Sequence, residues 1–201
     1  YTDQDTFFYP GIDLGWQLSS GLRLYANSGY TFRIPTYTDL YYSDPTTLGN
    51  ADLDPEKALT TELGLRFSGK VFQLQATLFH RDAQDYIDYV KFDEDGLWEA
   101  TNIERIASVG GELDMEMSYG QNHKLQLSYA YLEDDADGVS ASISRYAINS
   151  LKHHINLGLT HQWSKALRSA VSFRYAERET GSHYTLVNAS LSYGLINTLS
   201  D

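Results

Sequence analysis

A two-residue alternation of apolar and polar side chains, recurring about nine times, limits what this chain can fold into more than any other feature. The cleanest instance sets Val109, Gly111, Leu113, Met115, Met117 and Tyr119 against Gly110, Glu112, Asp114, Glu116 and Ser118. Successive side chains of a strand point to opposite faces, so each such segment has one greasy and one wet surface. The pattern returns over Phe7–Leu18, Leu22–Arg33, Lys57–Phe67, Phe72–Arg81, Leu125–Tyr131, His154–Trp163, Leu167–Tyr175 and Val187–Tyr193.

The connections alternate as well. Ser19-Ser20-Gly21, Ser68-Gly69-Lys70, Gly120-Gln121-Asn122-His123 and Ser164-Lys165-Ala166 read as short turns. Between them lie long segments: residues 34–56, 82–106, 133–145 and 177–182. Leu195–Asp201 reads as the next short turn. Pro35 ends the second strand, having no N–H to donate and pushing Ile34 into an extended conformation. In the second long segment, Asp93-Glu94-Asp95-Gly96 marks a hairpin expected to rise past the sheet rather than lie in it.

Short turns on one side and long loops on the other are the punctuation of a membrane β-barrel. The expected fold is all-β: an antiparallel up-and-down transmembrane barrel, of which about nine strands are present. The rival is a soluble antiparallel sandwich, whose strands also alternate. Two features favour the barrel. The polar face bears Glu112, Asp114, Glu116, Arg23, Arg66 and Arg174, which suits a wet lumen. The apolar face ends in rings: Trp16, Phe67, Phe72, Tyr119, Trp163 and Tyr193 beside short turns, and Phe8, Tyr30, Phe32, Tyr131 and Tyr175 beside long loops. Membrane interfaces select two such girdles.

Composition narrows the partners. With 15 Lys+Arg against 27 Asp+Glu and a net charge of −12, no phosphate-tracking basic surface is available, so nucleic-acid binding is excluded. No apolar run reaches the roughly 18–20 residues of a membrane helix. No HExxH, GxSxG, Walker or GxGxxG motif is present, so an enzyme is not expected. His153 and His154 are adjacent and point to opposite strand faces, so they cannot ligate one metal together. The acidic runs Asp93–Asp95 and Glu133–Gly138 invite calcium, but neither has the spaced EF-hand pattern; solvated charged loops are the expectation, with no cofactor. Asn188-Ala189-Ser190 matches a glycosylation sequon inside a strand and carries no weight.

The loop after Pro35 holds the candidate binding residues. Tyr37, Tyr41 and Tyr42 cluster there, and tyrosine gives large contact area at low entropic cost together with a hydrogen bond. They contact a ligand or merely pack the loop onto its neighbours, and the residues leave both open. Inward-facing Arg33 at the loop base and Trp98 on the second hairpin belong to the same hypothesis.

The same stretch carries a resemblance. Gly29-Tyr30, Arg33 and Pro35, then Asp39-Leu40-Tyr41-Tyr42, then Gly49-Asn50, Asp52-Leu53 and Pro55-Glu56-Lys57 resemble the second half of a TonB-dependent outer-membrane receptor barrel. Phe79–Asp82, Asp85–Tyr89 and Asn102–Glu112 extend the likeness over nearly the whole chain. Val109-Gly110-Gly111-Glu112 departs slightly from the family's usual triplet. The order is most similar to vitamin B12 receptors, and siderophore receptors share most of these signals. The resemblance implies a 22-stranded barrel closed by a plug, in the outer membrane of a Gram-negative bacterium. It implies import of a scarce nutrient such as cobalamin or a ferric siderophore, energised by TonB acting on the plug, with outer-membrane lipid around the wall. On that reading residues 1–201 are a partial barrel domain, with plug, signal peptide and closing strands absent. The functional rivals are a plug-less porin or adhesin barrel and a soluble β-sandwich binding module.

Overall fold

A computed structural model describes residues 8–120, 122–137, 143–145 and 150–194. Nine strands form one antiparallel meander: β1 (Gly11–Gln17), β2 (Leu22–Arg33), β4 (Glu56–Ser68), β5 (Phe72–Lys91), β6 (Trp98–Tyr119), β7 (His123–Asp137), β9 (Leu151–Gln162), β10 (Leu167–Arg178) and β11 (His183–Tyr193). Two short strands, β3 (Thr47–Leu48) and β8 (Ile143–Ser144), and one helical turn, α1 (Tyr37–Tyr41), lie in the long connections. Phe7, Gln121, Gly138 and the expected turn at Leu195–Asp201 fall outside the described residues.

The register shows how the alternation becomes a wall. One row across the sheet reads Trp16, Leu24, Leu65, Ala76, Leu113, Tyr129, Ile155, Tyr175, each paired with the next. The row one residue away reads Gln17, Arg23, Arg66, Gln75, Asp114, Ser128, Asn156, Arg174. A one-residue step therefore exchanges an apolar surface for a polar one, as a period of two requires. The first row starts beside a short turn, at Trp16, and ends near the long loops, at Tyr175, so the strands are staggered as in a tilted barrel wall.

The apolar face has no second layer among the described residues. Leu63, Leu78, Leu157, Leu159 and Leu191 are all exposed, and Leu113, Met115 and Phe173 are half-covered by their in-sheet neighbours. This rules out the sandwich, whose inner faces would bury these side chains.

Rings gather at both ends of this face. Beside the short turns His123 lies 4.3 Å from His161, which meets Trp163 edge-on at 4.3 Å, and Trp163 Nε1 donates to Ser169. Towards the loops, Tyr131 and Tyr129 flank His153, and the Tyr129 hydroxyl is 2.9 Å from its Nδ1. His153 to His161 spans about 26 Å of strand at roughly 3.3 Å per residue, about 20 Å of height at a tilt of about 40°. That approaches the ~25 Å apolar band of outer-membrane barrels.

Two local expectations are corrected. The hairpin around Asp93–Gly96 lies in the sheet: β5 and β6 stay in one register from Phe72↔Met117 to Val90↔Glu99. It does project beyond its neighbours, since β4 stops opposite Gln84 and β7 opposite Arg105. Tyr86, Ile87, Tyr89 and Val90 are strong strand formers, so the ladder simply continues. Secondly, Glu133–Asp137 are not a loop tip but the end of β7, paired with Val109–Arg105. The segment after Pro35 also contains a helical turn of its own. Thr36 caps α1 through a capping box: its hydroxyl accepts from the Asp39 N–H, and the Asp39 carboxylate accepts from the Thr36 N–H.

Candidate functional site

The long loops meet on the projecting hairpin. Beyond Gln84 and Arg105, among the described residues, β5 and β6 lose their ladder partners β4 and β7, so other groups must meet their edge backbone. Each edge is covered from the far side. β3, which leaves from β2, reaches past β5 to pair in parallel with β6 at Trp98 and Glu99. β8, which leaves from β7, reaches past β6 to pair with β5 at Val90 and Lys91. The two loops thus clasp one hairpin from opposite sides.

Packing follows. Leu40 of α1 and Leu53 bury against Ile87, Tyr89 and Ala100, with Trp98 packed alongside. This is a small hydrophobic core, and it fixes the loop to the hairpin by burial as well as by backbone pairing. Gly49 is needed for the approach: a Cβ there would lie 2.9 Å from the Asp39 carbonyl oxygen.

Polar ties lock the base. Arg33 donates to Glu56 Oε1 at 2.8 Å, to Asp39 Oδ2 at 3.2 Å and to the Ile87 carbonyl at 3.3 Å. Glu56 is buried and accepts the Ile87 N–H at 2.8 Å through the same oxygen. Asn102 accepts from the Asp54 N–H and donates to the carbonyls of Asp54 and Asp85, stitching loop to hairpin. Asp85 there takes a positive φ of 54°. On the other side, buried Asp88 accepts from the Ser144 hydroxyl of β8.

Two loop carboxyls are tuned by these contacts. Burial pushes Asp39 up, but the Thr36 backbone and hydroxyl, the Arg33 charge and the Tyr89 hydroxyl together hold it below the ordinary range. Asp44 is drawn down to about 2, chiefly by the Thr46 N–H and then by the Thr46 and Tyr42 hydroxyls. Both stay ionised at neutral pH. Among the described residues no three histidine or carboxylate side chains gather closely enough to hold a metal ion.

The five candidate residues separate into two groups. Tyr37 and Tyr41 sit on the outer side of α1 with rings 5.1 Å apart, and are 80% and 57% exposed. Tyr42 is exposed too and donates to Asp44 at 2.8 Å. Arg33 and Trp98 are tied into the scaffold. Trp98 lies beneath the Arg145 guanidinium, 4.8 Å from the ring centre, with the Lys91 ammonium at 5.2 Å. Sequence reasoning missed Asn102, Tyr89 and Arg145 as members of this assembly. Asn102 opens a motif that the resemblance had quoted, but Arg145 carries no local signal.

A profile of the family described as "TonB dependent receptor-like, beta-barrel" matches residues 1–200. The chain is 27% identical over 211 residues to the vitamin B12 transporter BtuB of Photobacterium profundum, covering 98% of this chain and 34% of that protein. It is 25% identical over 174 residues to an iron-regulated outer membrane virulence protein of Vibrio cholerae, covering 75% and 26%. Among solved structures, the copper transporter OprC superposes with a TM-score of 0.73 at 18% identity, over 93% of this chain and 31% of that one. The siderophore receptor PirA from Pseudomonas aeruginosa gives 0.69 at 18% identity, over 94% and 33%. These structures share the fold; the chain spans about a third of the length of the curated relatives it matches.

Proposed function

Because the chain belongs to the TonB-dependent receptor-like β-barrel family, we propose that it is a wall segment of an outer-membrane receptor that imports a scarce nutrient. The observation that carries this reading is the pair of neighbouring rows, one apolar from Trp16 to Tyr175 and one polar from Gln17 to Arg174. Lipid covers the first and a water-filled lumen faces the second. All long connections leave the sheet at one end, and the clasped hairpin makes that end a built surface rather than a set of free loops.

Tyr37, Tyr41 and Tyr42 are the proposed ligand contacts, exposed on a helical turn whose other side is buried. Arg33 and Trp98 act by holding that turn and its partner hairpin in place. The nutrient is cobalamin or a ferric siderophore, and uptake is energised through TonB acting on a plug inside the barrel. Names of relatives support both ligand classes. No covalent chemistry is assigned to the site, and no cofactor is required; the acidic tip Asp93–Asp95 is a solvated turn.

The test is a titration of the full-length receptor, in detergent, against cobalamin and a panel of ferric siderophores. Binding to one of them supports the reading. Absence of binding to all, with steady open-channel conductance in a planar bilayer, would favour a porin instead.

A further inference from the structure

Lys57, the second residue of β4, shares the apolar face with Leu59, Leu63 and Leu65, whose register partners on β2 are Tyr30, Ala26 and Leu24. Its own partner is Phe32, which stacks on Tyr9 at 4.3 Å. Tyr30 and Phe32 belong to the rings beside the long loops, so Lys57 stands where hydrocarbon gives way to headgroups.

Neighbouring cations at this end of the wall are paired. Arg33 is held by Glu56, and Lys152 lies 3.0 Å from Glu179. Arg105, in the same register row as Lys57 through Gln84, donates to Asp82 at 3.0 and 2.7 Å. Lys57 is exposed, and among the described residues its side chain makes no ion pair and no hydrogen bond.

An apolar hollow adjoins it. The space measures about 620 Å³ and is lined by Phe8, Pro10, Tyr30 and Leu59, together with Lys57, Gln84 and Asp82. The Asp82 carboxylate is taken by Arg105, so among the described residues Lys57 is the uncompensated charge of the hollow.

We propose that this hollow binds one anionic, phosphate-bearing lipid of the loop-side leaflet, its phosphate on Lys57 and an acyl chain over Tyr30 and Leu59. Charge selects the occupant: the chain as a whole carries −12, yet this lipid-side niche presents one free ammonium. An ammonium binds phosphate as a compact point charge, and the lysine stem lies along apolar surface while its head stays at headgroup level. The proposal rests on the barrel reading, which turns this face towards lipid.

The test uses the full-length receptor in nonionic detergent, with retained lipid counted by native mass spectrometry. Dipalmitoyl phosphatidic acid is titrated against dipalmitoyl phosphatidylcholine, which has the same chains and no net charge. Wild type is expected to prefer phosphatidic acid, and Lys57→Gln to bind it about fivefold more weakly, equivalent to ~1 kcal/mol for one lysine at an anionic lipid surface. Lys152→Gln, which removes a paired lysine, should leave retention unchanged. Equal retention by wild type and Lys57→Gln, or equal loss in both lysine variants, overturns the site. Displacement of the lipid by inorganic phosphate would assign the lysine to a free anion and overturn the lipid. A lipid-free pair of receptors that Lys57→Gln separates would give the hollow to a second copy, with the same consequence. If Lys57→Gln does not fold, Lys57→Met, which keeps an apolar stem, gives the same reading. A wild type that folds without detergent would sink the barrel reading instead.

Discussion

The Arg33 guanidinium stands 2.8 Å from Glu56 Oε1, its own register partner across β2 and β4, at the level where the sheet gives way to the loops. That pair joins the last residue of one strand to the first of the next, and so closes the neck of a connection more than twenty residues long. Because the same carboxylate oxygen accepts the Ile87 N–H, the neck is bolted to the projecting hairpin as well. The order of the loop end follows from this junction.

Glu56→Gln removes the charge from the junction, and Glu56→Ala leaves the Ile87 N–H without its acceptor. Leaving a buried donor unsatisfied costs about 1–3 kcal/mol. The expected outcome for Glu56→Ala is faster amide exchange across residues 36–55 and 86–90, with the membrane-spanning part of the ladder unchanged. Equal exchange in wild type and variant would show that the junction is dispensable.

Replacing Tyr37, Tyr41 and Tyr42 together by Ala is expected to weaken nutrient binding by the full-length receptor without altering its unfolding. The rings of Tyr37 and Tyr41 are largely exposed, so little packing is lost. Tyr42→Phe alone removes only the hydrogen bond to Asp44 and should have a small effect. Unchanged affinity in the triple variant would take the cluster out of the binding surface.

Acid should loosen the loop before the wall. Asp39 and Asp44 both have folded-state pKa values below their unfolded ones, the second about 2 against an ordinary 3.8. A depressed carboxyl stabilises the fold above its unfolded pKa, and that contribution disappears as pH falls through the folded value. Order in residues 36–48 is therefore expected to be full at neutral pH and to decline between about pH 4 and about pH 2. Asp44→Asn should flatten this dependence, as followed by near-ultraviolet circular dichroism of the loop tyrosines.

The two faces should answer oppositely to one charge. Leu157→Arg puts a guanidinium on the apolar face, where a membrane midplane position costs about 2–4 kcal/mol. Its row neighbours are Leu127 and Phe173. Asn156→Arg, one residue away, meets the polar face and should be tolerated, although it lies next to Arg174. Equal loss of folded protein in lipid vesicles from both variants would contradict the assignment of faces.

Gly49→Ala tests the seat of α1. The added Cβ has backbone atoms of residues 39–41 about 3 Å away, which cannot give as a side-chain tip would. The helical turn is expected to lift from Ile87 and Tyr89, read as increased protease cleavage within residues 36–55.

The alternation determined the wall-level strands and their two faces, because each is a local consequence of a period of two, and the turn residues told the short-turn side from the long-loop side. The motif from Gly29 to Lys57 pointed to the family before any of its contacts were known, and Asp39, Gly49, Leu53 and Glu56 prove to be the residues that fasten the loop. What the sequence could not supply was where the loops go. That β3 reaches β6, that β8 reaches β5, and that Arg145 covers Trp98 depend on pairings between residues some 50 positions apart, which leave no periodic trace. Nor did alternation reveal that β5 and β6 continue through the supposed loop, since a strand buried on both faces loses its two-residue rhythm. The wall was decided by local chemistry; the surface it presents was decided by three-dimensional packing.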